Sequence, residues 1–167
     1  MPLLCISLLA LLLLPLSLSC DNKRTPKEVK NDYMPVVQPV INNVNGIITT
    51  SLQNSSCPAL KHRIRGCTVE NADIVSTLHS LTCKMRILNL NIYPTHLLVT
   101  TVLNSVRCPC HEKPTKEPSM GLRRRKAARE RRNNQKKKEI KKRCKAEAIL
   151  SAMTNCYQML NTILADT

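Results

Sequence analysis

Behind an apolar N-terminal stretch, the chain carries Cys20, Cys57, Cys67, Cys83, Cys108, Cys110, Cys144 and Cys156, and their spacing restricts the fold more than any other feature. The stretch itself, MPLLCISLLALLLLPLSLSC, holds an apolar run of about eleven to fifteen residues, with Ser17 and Ser19 at minus three and minus one to a cut before Cys20. Residues 1–19 therefore read as a cleaved secretory signal peptide. The run is shorter than the roughly 20 residues a membrane span requires, and the charged DNKRTPKEVKND follows it. Ser17 stands where a bacterial lipobox would need an aliphatic residue. Cleavage removes Cys5 and leaves an even number of cysteines in an oxidising compartment, which favours disulfides over zinc or catalysis. Eight cysteines allow about 105 pairings, and geometry removes some. Cys144 and Cys156, if they share a helix, lie about 18 Å apart, far beyond the roughly 7 Å that a disulfide spans between α-carbons. Each must bond elsewhere, and the CPC cysteines, Cys108 and Cys110, are poorly placed to bond to each other. CPCH offers metal-ligand types without a second cluster at ligand spacing, so no metal is expected.

The core has to be aliphatic. Phe and Trp are absent and Tyr33, Tyr93 and Tyr157 are the only aromatic residues. Residues 20–167 suffice for one domain with a single core. Val37, Val40, Ile41, Val44, Ile47, Ile48 and Leu52 recur at three and four, predicting a helix over about 36–53 with Pro35 at its start. Ile74, Val75, Leu78, Leu81, Met85 and Leu88 predict a second over about 70–90, capped by Asn71 or Thr68. Pro94 breaks it, and Thr95 can cap a third over about 96–107, although the β-branched LLVTTVL makes a strand the alternative. Ile140, Cys144, Ile149, Ala152, Met153, Cys156, Leu160 and Ile163 trace a fourth over about 136–164. The links between these helices run long, short, long, and the basic segment 109–135 is long enough to cross over. That pattern predicts an all-α, disulfide-stapled four-helix bundle of up-up-down-down cytokine topology.

Several fragments now carry a resemblance. A Cys followed by Asp opens the mature chain, and NSSCPALKHRIRGC follows the first helix. HLL opens the third helix and a Cys closes it; KRC and CYQML stand twelve residues apart at the end. Together they resemble the interleukin-7 family of short-chain helical cytokines over nearly the whole mature chain. The resemblance implies the bridges Cys20 to Cys108, Cys57 to Cys144, and Cys67 to Cys156. Cys83 and Cys110 have no counterpart in that framework; they form a fourth bridge, or Cys83 is a buried free thiol. Tyr157 stands where the family has Trp. The insertion 123–133 is more basic than the family pattern and is similar to the polybasic loop of thymic stromal lymphopoietin, a cytokine type that is the nearest alternative.

The resemblance further implies a secreted, monomeric growth factor for lymphocytes that brings together an interleukin-7 receptor α-type chain and the common γ chain. Its α-chain face would comprise Val36, Pro39 and Asn43 with Leu98 and Val99. The γ-chain face would comprise Tyr33, Tyr157, Leu160 and Asn161, with Tyr157 as the aromatic anchor. Each of these apolar residues could equally be core.

No enzyme is expected. Gly46, Gly66 and Gly121 build no phosphate-cradling loop, and His62, His79, His96 and His111 belong to no recognisable triad. Neither a cofactor nor a membrane partner is indicated. The basic run 123–145 holds fourteen Lys or Arg against two Glu, most of the chain's net charge of +15. It lacks aromatics for base stacking, which argues against the rival reading of a nucleic-acid-binding protein. In a secreted chain the fitting polyanion is heparan sulfate or heparin: KKRCKA matches an X-B-B-X-B-X arrangement, with Lys137, Lys138, Lys141, Lys142, Arg143 and Lys145 opposing sulfates. Lysines at a helix start oppose the helix dipole, a cost of up to about 1 kcal/mol each. RERR, ending at Arg132, fits the pattern cut by furin-like proteases, and Asn54 in NSS is the single glycosylation sequon.

Overall fold

The computed structural model describes residues 24–59, 64–68, 73–110 and 128–164, and every regular element among them is helical. The signal segment 1–19, Cys20, Asn71 and residues 111–127 of the basic link lie outside them. The first helix begins ten residues before the expected Val36. Helix α1 (Pro26–Asp32) runs through a π-helical turn (Tyr33–Val37) into α2 (Gln38–Leu52). Its start is a capping box: the Thr25 hydroxyl accepts the Glu28 N–H, the Glu28 carboxylate accepts the Thr25 N–H at 2.8 Å, and Pro26 occupies the first turn. Pro35 and Pro39 have no N–H to donate, and a proline ring inside a helix crowds the carbonyl four residues back. The wider π-turn accommodates this, with the Gln38 N–H reaching the Tyr33 carbonyl. Prolines that look like a helix start therefore sit inside a longer helix.

Helix α3 (Ile74–Leu88) is capped by Asp73, which accepts the Ser76 N–H at 2.8 Å, rather than by Thr68, which lies outside the helix. It ends on Asn89 in the left-handed region, φ 43°. Helix α4 (Tyr93–Val106) replaces the strand alternative: Thr95, Leu98, Val99, Val102, Ser105 and Val106 are buried at helical spacing, which a pleated strand could not turn to one side. Pro94 starts this helix instead of breaking the previous one, and Thr95 is buried inside it instead of capping it. Helix α5 (Ala128–Ile163) is 36 residues long and begins eight residues before the expected start, so part of the supposed crossover loop is helical.

Both α2 and α3 pack against α4 and α5. The shared core is aliphatic, with Val44, Ile48, Leu78, Leu81, Leu98, Val102, Ile149 and Met153 at its centre. At the end of α1, Asp32 pairs with the Arg24 guanidinium and accepts the Ser105 hydroxyl of α4 at 2.9 Å. Lys30 reaches the Asn161 carbonyl of α5 at 3.4 Å. Disulfides join Cys57 to Cys144, Cys67 to Cys156, and Cys83 to Cys110. Cys83 is thus bonded and not a free thiol. Cys108 is also disulfide-bonded, and its expected partner, Cys20, lies outside the described residues. The first two bridges close loops with sequence separations of 87 and 89. In the chain-entropy model each removes about 4.5 kcal/mol of unfolded-state freedom.

The capping box gives a direct test. Glu28 is exposed, yet its carboxyl is held below the ordinary value by the Thr25 N–H and then by the Thr25 hydroxyl. A depressed carboxyl contributes above its unfolded pKa and loses that contribution as pH falls through the folded one. Thr25→Ala should lower stability by about 1 kcal/mol in urea unfolding and speed amide exchange over residues 26–32. In the wild type the protection of the same amides, relative to their intrinsic exchange rate at each pH, should weaken below about pH 4.

Candidate functional site

The first helix carries an exposed apolar flank. Val36, Pro39 and Asn43 are all exposed, and Ile47 extends the row, with Met34 exposed just before it. Asn45 and Thr49, on the other flank of the helix, line a groove of about 660 Å3 with Glu147, Ser151 and Asn155 of α5. The row Val36, Asn43, Ile47 consequently turns toward α4. There the expectation is off by a fraction of a turn, because Leu98 and Val99 are buried core residues and the exposed apolar side chains are Leu97, 45% accessible, and Tyr93, 86% accessible. One residue along a helix is a rotation of about 100°, enough to exchange the outside for the inside. Leu97 borders the side of α4 on which Ser105 meets Asp32, so it stands beside the first helix.

The residues expected on the second face lie mostly inside. Tyr157 is fully buried, Leu160 and Tyr33 nearly so, and Asn161 is half-buried with its carbonyl taking Lys30. The rings of Tyr33 and Tyr157 stack with centroids 4.4 Å apart and an interplanar angle of 11°. In a chain without Phe or Trp, a tyrosine ring is the largest apolar body available, so burial outweighs display. The Tyr157 hydroxyl is buried without a hydrogen-bond partner among the described residues. Burial pushes its phenol well above the ordinary range, and the charge on Asp32 and the neighbouring Tyr33 add to that. Burial raises Tyr33 as well.

On α5, Lys137, Lys138, Lys141 and Lys145 are exposed, with Lys137, Lys141 and Lys145 one turn apart. Lys142 and Arg143 are half-buried, and Lys142 pairs with Glu139 at 3.4 Å. Arg143 joins Arg132 and Lys136 around a hollow of about 700 Å3 that Asn89, Asn91 and Glu139 also line. Cys144 is buried by its bridge and Ile140 packs on the core, so the cations project without entering it. Arg132 is exposed but within a helix, whereas proteases bind extended backbone. Asn54 is exposed in the turn after α2.

Two features escaped the sequence reading. An apolar-floored hollow of about 670 Å3 lies between α3 and α4, with Met85, Val99 and Leu103 below and His96 and Arg107 at its edge. His79, Cys83 and Cys110 gather their ligand-type atoms within 4.8 Å of one another. The His79 Nε2 is 3.4 Å from the Cys83 sulfur and 3.0 Å from the Pro109 carbonyl. Their signal was HSLTC, where His and Cys four apart share one helix face.

No family model, no curated protein and no solved structure matches the chain.

Tyr157 supplies a prediction. Its phenol is held neutral by folding, so its contribution is complete below the unfolded value of about 10 and declines as pH rises past it. In thermal scans of freshly diluted protein the midpoint should fall between about pH 9 and 11, and Tyr157→Phe should flatten that fall. At neutral pH the same variant should equal or exceed the wild type, since it removes an unpaired buried hydroxyl.

Proposed function

We propose that the chain is a secreted helical cytokine of interleukin-7 type, an up-up-down-down bundle that brings together an interleukin-7 receptor α-type chain and the common γ chain. The observation that carries the reading is the pair of bridges Cys57–Cys144 and Cys67–Cys156 within an all-helical chain, since both are bridges the resemblance implies. The topology is supported by the ends that meet. α1, which opens the long first helix, lies against the end of α4 through Asp32 and Ser105, and against the end of α5 through Lys30 and Asn161. Cys67, ahead of α3, joins Cys156 in the last third of α5. Disulfides also suit the oxidising route to the cell exterior. A cytokine close to thymic stromal lymphopoietin belongs to the same class and differs in the receptor pair.

For receptor contact the flank of Val36, Asn43, Ile47 and Leu97 is the favoured α-chain face, because these side chains are accessible where Leu98 and Val99 are not. The γ-chain reading passes from the Tyr157 ring to the accessible residues around it on α5, with Tyr33, Tyr157 and Leu160 fixing the helix from inside. The lysine stripe on α5 would hold the protein on heparan sulfate.

The receptor reading is tested by pull-down of the secreted protein with both receptor ectodomains. Binding is expected, and Leu97→Asp should weaken α-chain binding about tenfold or more. Binding to neither ectodomain would remove the assignment, and DNA or RNA binding at physiological salt would replace it with the nucleic-acid reading. For the stripe, the triple change of Lys137, Lys141 and Lys145 to Ala should lower the salt needed for elution from heparin more than from a plain cation exchanger. Equal loss on both columns would reduce the stripe to bulk charge.

A further inference from the structure

We propose that His79, Cys83 and Cys110 form a redox-gated site for a thiophilic divalent metal ion such as Zn2+, which replaces the Cys83–Cys110 disulfide as the clasp between α3 and the end of α4. This pair lies outside the cysteine framework that the resemblance implies, so the site does not depend on the cytokine reading. Three observations converge. His79 and Cys83 stand four residues apart on α3 and present both side chains on one face. Cys110, following α4, brings its sulfur to the same point through the bridge. Among the described residues, no other three His, Cys, Asp or Glu side chains come together at ligand spacing.

The chemistry of the donor set selects the ion. Two thiolates and an imidazole are the soft and borderline ligands that Zn2+ takes, at about 2.3 Å for sulfur and about 2.0 Å for nitrogen. Tetrahedral geometry then sets the sulfurs about 3.8 Å apart. All three ligand-type atoms already lie within 4.8 Å of one another, the neighbourhood a single ion needs. His79, Cys83 and Cys110 are each half-buried, leaving the fourth position to a water molecule and the bridge within reach of a reductant.

Two equivalents of a small thiol reduce the disulfide and leave as their own disulfide, giving Cys83 and Cys110 as thiols. Zn2+ then binds both sulfurs and His79 with release of two protons. In the oxidised chain the Pro109 carbonyl, 3.0 Å from the His79 Nε2, assigns a proton to that nitrogen. Metal at Nε2 requires that proton on Nδ1, so the imidazole changes tautomer and releases Pro109 as the ion enters. The α3 clasp persists in either redox state, covalent in one and metal-held in the other.

Co2+ is the probe, added to the full secreted chain with and without a phosphine reductant, with reduced cysteines mapped by alkylation and mass spectrometry. In chains reduced at Cys83 and Cys110, one Co2+ per chain should give the visible bands of tetrahedral coordination and a near-ultraviolet thiolate charge transfer, both abolished by equimolar Zn2+. His79→Ala should weaken the complex at least tenfold, and Cys83→Ser with Cys110→Ser should eliminate it. Tetrahedral bands in the oxidised chain would overturn the gating. Their absence after mapped reduction, their persistence in the double serine variant, or unchanged affinity in His79→Ala would each overturn the site. The double serine variant keeps the bridges at Cys57, Cys67 and Cys108 in its oxidised form, so folding can be checked independently of metal.

Discussion

Everything in this chain hangs on α5 being fastened at two points to the segment that joins α2 to α3. Cys144 and Cys156 are about 18 Å apart along one helix, and they hold Cys57 and Cys67 respectively. The end of α2 and the approach to α3 are therefore located along the same rod. An aliphatic core alone is non-directional: it rewards burial without fixing how far one helix slides along another. Two fixed points on one helix remove that freedom. Small domains retain only about 5–15 kcal/mol of net stability, so losing either bridge, at about 4.5 kcal/mol by loop-closure entropy, would consume a large share of it.

Beside the Cys67–Cys156 bridge, polar groups and one aromatic pair add further ties. Asp32 gathers the Arg24 guanidinium and the Ser105 hydroxyl, joining the first helix to α4. One residue on, Tyr33 stacks on Tyr157 and joins it to α5. The π-turn at Tyr33–Val37 lies at this junction. An extra residue in that turn changes the rotational phase between α1 and α2, so that Val29 and Tyr33 before it and Val37 and Ile41 after it can all face inward. Pro35 thus acts less as a helix start than as the reason the phase can change.

Much of this was legible in the sequence where burial repeats with the helical period. Leu78, Leu81 and Met85, or Ile149, Met153 and Cys156, point to their helices without help from context. The start of the first helix was misread because Pro35 is a strong start signal, while Thr25-Pro26-Lys27-Glu28 is a stronger one: it supplies a cap, a proline at the first position and a carboxylate returning to the cap. Asp73 and Tyr93 moved two other boundaries by a few residues for similar local reasons. The binding residues were harder, for a different reason. Whether Leu97 or Leu98 faces out, and whether Tyr157 anchors a partner or fills the core, depends on the position of neighbouring helices that a single helix's pattern leaves open. Scarcity of aromatics was the available clue for Tyr157, since a core lacking Phe and Trp has most to gain from burying its few large rings.

The basic run changes character once α5 is seen to start at Ala128. Lysines 136–145 then lie well inside the helix, beyond the first turn over which the dipole acts, so the expected dipole cost disappears. What remains is mutual repulsion: Lys137, Lys141 and Lys145 are like charges at successive i,i+4 positions, each pair costing about 0.2–0.5 kcal/mol. Glu139 relieves Lys142 but none of those three. The helix tolerates the strain because Cys144, in their midst, is tied to Cys57 and Ile140 packs on the core. A covalent tie beneath a row of repelling cations lets the row stay ordered without a counter-charge of its own, leaving it free to accept one from outside.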